Sequence, residues 1–176
     1  MVGILDVGGG LRGNYVSGII DYLLDNSVDI EYCLGVSASC AIPIATRRPI
    51  LFKNGMYFDG GVSDPIPYKK AFEDGCDKLI VCLTLPVDYK KSAFPKQLVR
   101  ILLPRYPQIA KAVAMSHIIY NDRINEILKL EEQGKVLILS PKECFGIKTA
   151  TRDKVGLNKL YELGYKDAER IKEFLR

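Results

Sequence analysis

Three short clusters hold the residue types that could do chemistry. Gly8-Gly9-Gly10-Leu11-Arg12-Gly13 is a glycine loop, Gly35-Val36-Ser37-Ala38-Ser39 sets a serine among small residues, and Asp59-Gly60-Gly61 places a carboxylate before two glycines. Glycines without Cβ atoms let the backbone turn several N–H groups toward one point at a helix N-terminus. Such a concavity holds a phosphate or the oxyanion of a tetrahedral intermediate equally well. A serine hydroxyl becomes a nucleophile when a base lies within hydrogen-bond reach. The chemistry these types allow is acyl transfer.

Each cluster also has an ordinary reading. Gly8, Gly10 and Gly13 fit GxGxxG between a strand and a helix, a pattern whose commonest meaning is dinucleotide binding. That meaning needs an acid at the end of the second strand, yet Asp29 and Glu31 stand at its beginning and Leu34-Gly35 at its end. A phosphate-binding P-loop fails for want of Gly-Lys-Ser/Thr, and a tight turn without a ligand stays open. Arg12 is placed to brace the loop or to add positive potential. Gly35 to Ser39 is one residue short of GxSxG, the strained nucleophile elbow, and a Gly-x-Ser after a strand also serves as a helix N-cap.

The single histidine, His117, lies in a helical stretch without tight-turn chemistry, so a Ser-His-Asp triad is not expected. Asp59 is the better base, because it follows Met56-Tyr57-Phe58 at a strand end and precedes two flexible glycines. Its alternative is an Asp closing a turn. Asp64, in a Ser-Asp-Pro context, suits helix capping ahead of Pro67. Carboxylates and histidines show no metal-ligand spacing, and neither metal nor cofactor is expected.

In this order the three clusters resemble the patatin-like phospholipase family. Its glycine-rich oxyanion loop is similar to Gly8–Gly13, its GxSxG to Gly35–Ser39 and its Asp-Gly-Gly/Ala motif to Asp59-Gly60-Gly61. Asp6-Val7, Val62 to Pro67, Asp77 to Thr84 and Leu163-Gly164-Tyr165 resemble the flanks, so the likeness runs along most of the chain. It implies a three-layer α/β/α fold and a Ser37–Asp59 dyad that cleaves acyl esters of lipids, with N–H groups of Gly8 to Gly10 on the oxyanion. Gly13, Gly35, Gly60 and Gly61 would support the motifs. The odd number of cysteines points to a cytoplasmic protein, and peripheral membrane contact is expected of an enzyme that reaches lipid substrates. A catalytically idle relative that binds lipid or a partner is the competing expectation.

Only residues 38–58 separate Ser37 from Asp59, whereas the family places a much longer stretch there. An elbow serine needs a helix running back along the sheet, and Pro43 stops this one early. A segment is therefore expected to be missing near residues 38–39, either absent from the protein or passed over in the numbering.

The elements that must carry these groups read as an α/β fold with a mostly parallel sheet flanked by helices. Val2–Val7, Ile30–Leu34, Lys78–Leu85 and Lys135–Leu139 are expected strands, and Leu-Ile-Val-Cys-Leu at 79–83 has the unbroken apolar run of a buried parallel strand. Residues 50–59 read as a hairpin turning at Lys-Asn-Gly. Helices are expected at 15–26, 67–74, 101–133 and 157–176, with Gly164 a weak point in the last. One domain over 1–176 is expected, with residues from about 100 onward as a helical extension packed on it.

The 176 residues suffice for a hydrophobic core, and a net charge of +4 from interspersed acids and bases does not suggest a nucleic-acid protein. The basic stretch Lys90–Arg105 reads as a solvated connector or helix face, with a membrane-surface role also open. Five cysteines without CxxC spacing read as reduced thiols, Cys33 and Cys82 as core packing. No apolar run approaches the ~20 residues of a membrane span.

Overall fold

The computed structural model describes residues 1–36, 43 and 48–176. Ser37, Ala38, Ser39 and the expected break near 38–39 lie outside the described residues. Chain order begins β1 (Val2–Asp6), α1 (Asn14–Asp25), β2 (Tyr32–Gly35), β3 (Ile50–Phe52), β4 (Gly55–Tyr57) and α2 (Tyr68–Glu73). It continues β5 (Lys78–Cys82), α3 (Lys96–Leu102), α4 (Pro107–Glu132), β6 (Val136–Leu139), α5 (Lys154–Asp167) and α6 (Arg170–Leu175). The chain divides into two compact units: Met1–Gly35, Pro67–Tyr89 and Glu126–Arg176 form the first, and Val36–Ile66 with Lys90–Asn125 the second.

The first unit is an α/β fold. Its four strands are parallel in the order β2-β1-β5-β6, with Leu5 opposite Leu34 on one side and Val81 on the other. Parallel pairing needs crossovers that cover the faces with helices, so the central strands are apolar throughout. Ile4, Ile80, Cys82, Leu137 and Leu139 share one core cluster with residues of α1, α5 and α6. The alternate residues Leu5, Leu79, Val81, Val136 and Ile138 are buried on the opposite face. There α2 contacts β1 and β5, and a Cβ on Gly3 would press on Cys76 just beyond that helix. Cys82 is buried as expected. Cys33 is exposed, because β2 is an edge strand whose residues alternate between half-buried and exposed.

Helices α1 and α5 touch backbone to backbone. A Cβ on Gly18 would overlap the carbonyl oxygen of Tyr161, and one on Gly164 would overlap that of Tyr15. Gly164 is thus a buried packing point and not a weak spot. The last helical stretch breaks after Asp167 instead, between α5 and α6. Tyr15, Tyr161 and Tyr165 donate to Asp167 (2.7 Å), Asp21 (2.6 Å) and Asp25 (2.9 Å), stitching the same pair of helices.

In the second unit β3 and β4 form the antiparallel hairpin, with Phe52 opposite Gly55. The turn residues are therefore Lys53-Asn54 and not Asn54-Gly55, and Lys53 carries the positive φ of 50°. The stretch 101–133, expected to be mostly helical, holds the end of α3 and all of α4. Pro104 disfavours helical geometry in Leu103, so α3 stops at Leu102, and Pro107 opens α4, where its missing N–H costs nothing. Val99, Leu103, Ala110 and Val113 close a small core between these helices. The basic stretch thus contains a helix, α3.

Candidate functional site

Between β1 and α1 the chain turns at three consecutive glycines with φ of 70°, 152° and 61° for Gly8, Gly9 and Gly10. Residues with a Cβ rarely tolerate these values. Two outside groups fix the turn. Thr84, just beyond β5, donates from Oγ1 to the Gly8 carbonyl at 2.6 Å, and Leu11 N–H donates to the Thr149 carbonyl at 3.0 Å. Thr84 and Thr149 also fill the places where Cβ atoms on Gly9 and Gly10 would stand.

The Gly8 N–H donates to Asp6 Oδ1 at 2.8 Å. The N–H groups of Gly9 and Gly10 make no hydrogen bond among the described residues. Burial pushes the Asp6 carboxyl above its ordinary range, and the Gly8 bond only partly offsets this. Arg12, in the one-turn 3-10 helix Gly10–Gly13, has a buried Nε without a hydrogen-bond partner among the described residues. Its charge reaches Cys144, whose thiol is raised by burial and drawn partly back by Arg12. A Cβ on Gly13 or Gly35 would meet nothing within 4 Å, so no described neighbour requires glycine at either position.

In the second unit Asp59 caps the 3-10 turn Gly60–Val62, and its Oδ1 accepts the Gly61 N–H at 2.9 Å. The Asp-Gly-Gly sequence folds this way because the Val36 carbonyl lies where a Cβ on Gly60 would be, at 2.8 Å. Val36 Cγ1 is also 3.4 Å from the Cβ position of Gly61. The residue before Ser37 therefore packs on the residue after Asp59. Ser37 itself is outside the described residues.

Lys91 is a neighbour of Asp59 that sequence reading did not single out. Asn121 grips its backbone twice, accepting its N–H at 3.0 Å and donating to its carbonyl at 3.2 Å. Its ammonium stands 5.7 Å from the centre of the Tyr120 ring. Burial lowers the Lys91 pKa, and the charge of Asp59 works in the opposite direction. Contacts between residues 30 apart leave no spacing signal in a sequence. Asp64 does not cap α2 as expected, since the cap position is Pro67. Asp64 instead takes Arg123 in a two-pronged pair, Nε to Oδ1 and Nη2 to Oδ2, each 3.1 Å.

His117 has a buried Nδ1 without a hydrogen-bond partner among the described residues. Among the described residues no group of three or more His, Cys, Asp or Glu could hold a metal ion. No helix among them is long and apolar enough to cross a membrane.

The first unit defines a parallel α/β domain with a strained glycine loop between its first strand and first helix. A family model described as a domain of unknown function, DUF6363, matches residues 106–176. That region holds α4, β6, α5 and α6 and contains neither the glycine loop nor Asp59. No curated protein matches the chain.

Proposed function

We propose that the chain is a lipid acyl hydrolase of the serine type, similar to patatin-like phospholipases. Ser37 Oγ attacks the ester carbonyl and Asp59 accepts its proton. The alcohol leaves with that proton, and water then hydrolyses the acyl-serine. By the same resemblance, the role of oxyanion donor falls to the glycine loop.

One observation carries the reading: the Val36 carbonyl packs against Gly60, so the residues bonded to Ser37 and Asp59 are neighbours in space. Two glycine N–H groups at the loop before α1, without a partner among the described residues, add donors of the kind acyl transfer uses. Asp59 is half-buried, and as the residue next to Gly60 it is the carboxylate to which the base role falls.

The test is labelling by a fluorophosphonate probe together with hydrolysis of a p-nitrophenyl acyl ester. Ser37→Ala should abolish labelling, and Asp59→Asn should lower hydrolysis by about 10²–10⁴-fold, the usual scale for losing a general base. Labelling that survives Ser37→Ala, or hydrolysis that survives Asp59→Asn, removes the proposal.

A further inference from the structure

From Tyr89 to Asn121 the chain carries Lys90, Lys91, Lys96, Arg100, Arg105 and Lys111 and not one Asp or Glu. Elsewhere acids and bases are interspersed, so this stretch is a concentrated field of one sign. It folds into α3 and the first turns of α4, with a cleft of about 770 Å³ between them. Lys96, Arg100 and Lys111 stand on the cleft, and Ile101, Pro104 and Met115 supply apolar wall. None of its described lining residues is acidic.

The same helix exposes large apolar side chains. Ile101 is 73% accessible and Leu98 43%, and Phe94 just ahead of α3 is 43% accessible. Leu98 and Ile101, three residues apart on α3, put exposed apolar surface beside these cations. A cationic helix with an outward apolar side is the pattern of segments that lie in a lipid interface, the cations on headgroup phosphates and the apolar groups among acyl chains. Both the sign of the charge and the greasy exposure point to one occupant.

We propose that α3 and the start of α4 form a docking face for an anionic lipid bilayer. Lys96, Arg100 and Lys111 engage headgroup phosphates while Leu98 and Ile101 enter the interface. The contact is peripheral. It depends on neither Ser37 nor Asp59, and it stands or falls separately from the hydrolase reading.

Co-sedimentation of the full chain with vesicles tests it, comparing phosphatidylcholine containing 30% phosphatidylglycerol with phosphatidylcholine alone. At about 0.1 M salt the anionic vesicles should bind at least tenfold more tightly, and about 1 M salt, where screening is nearly complete, should abolish the difference. The triple variant Lys96→Gln, Arg100→Gln, Lys111→Gln should lose at least tenfold in partitioning, and Ile101→Asp should lose a similar factor. These side chains are exposed, and an unchanged circular dichroism spectrum and Tm confirm the fold. Lys135→Gln, Lys148→Gln, Lys154→Gln removes the same charge from the first unit and should bind as the parent does. Equal binding to both vesicle types, an equal loss in the control triple, or no loss in Ile101→Asp overturns the proposal. So does uptake of monomeric dodecyl phosphate without vesicle binding, which would make the cleft a single-molecule site.

Discussion

The Thr84 hydroxyl donates to the Gly8 carbonyl at 2.6 Å, and the same side chain occupies the space a Cβ on Gly9 would need. One residue at the end of β5 therefore holds the turn after β1 in a shape that only glycine can take. The loop's N–H directions are fixed before any ligand arrives, which is the condition for electrostatic stabilisation without reorganisation.

Thr84→Val keeps the volume and removes the donor, leaving the buried side of the Gly8 carbonyl without its partner. A loss of about 1–3 kcal/mol is expected from unfolding in urea. If Gly9 and Gly10 hold an oxyanion, kcat for ester hydrolysis should fall further than stability explains, with KM little changed. Gly9→Ala should be worse on both measures, because the added Cβ meets Thr84 at a φ of 152°. A Gly9→Ala protein as stable and active as the parent would show the loop to be unconstrained.

Asp6 gives the same loop a pH dependence whose sign is unusual for an aspartate. Burial raises its folded pKa above the unfolded value. The folded state then keeps its proton longer, so stability falls as pH rises from the ordinary carboxylate range through the folded value, and the cost is complete above it. Asp6→Asn retains an oxygen for the Gly8 N–H and carries no charge. It is expected to raise Tm at pH 7 and to converge with the parent near pH 3. A lower Tm at pH 7 would mean that the charge is needed there.

The contact of Gly18 with Tyr161 and of Gly164 with Tyr15 predicts that alanine at either site separates α1 from α5. Alanine normally improves a helix by about 1 kcal/mol relative to glycine, and overpacking costs about 1–3 kcal/mol or more. Backbone atoms cannot rotate away, so a net loss is expected for each. The double variant should lose less than the sum, since the helices need to part only once. Urea denaturation of the four proteins measures this, and additive losses would place the two contacts in independent regions.

The legible parts of this fold were those whose signal is local. The apolar run of β5 and the turn residues between β3 and β4 announce themselves within a few positions, and so does the glycine loop. Cys33 misled because an apolar run does not say whether its strand is central or at an edge. The mostly helical character of 101–133 was legible too, and Pro104 and Pro107 set the break between α3 and α4 within it. In the candidate site, the loop and Asp59 could be read from their glycines. The spending of the Gly8 N–H on Asp6, the grip of Thr84 and the approach of Lys91 could not, since each depends on where other segments come to rest. Burial, which decides the Asp6 and Lys91 titrations, has no counterpart in residue spacing.

Lys91 supplies the last prediction, because it reports on Asp59 without requiring turnover. Its pKa is lowered by burial and supported by the Asp59 charge. A lysine held below its unfolded value destabilises the fold at low and neutral pH, and the cost fades as pH rises through the folded value toward the ordinary lysine range. Asp59→Asn removes the supporting charge, so Lys91 should release its proton at lower pH still and the cost at neutral pH should grow. The rate of Lys91 acylation by acetic anhydride, followed by peptide mass spectrometry between pH 7 and 10, reads the neutral amine directly. The midpoint should shift downward in Asp59→Asn and stay in place in Asp64→Asn, whose carboxylate is committed to Arg123. An unmoved midpoint in Asp59→Asn would mean that the two groups do not feel each other, and Lys91 would then be a structural residue held by Asn121 and Tyr120 alone.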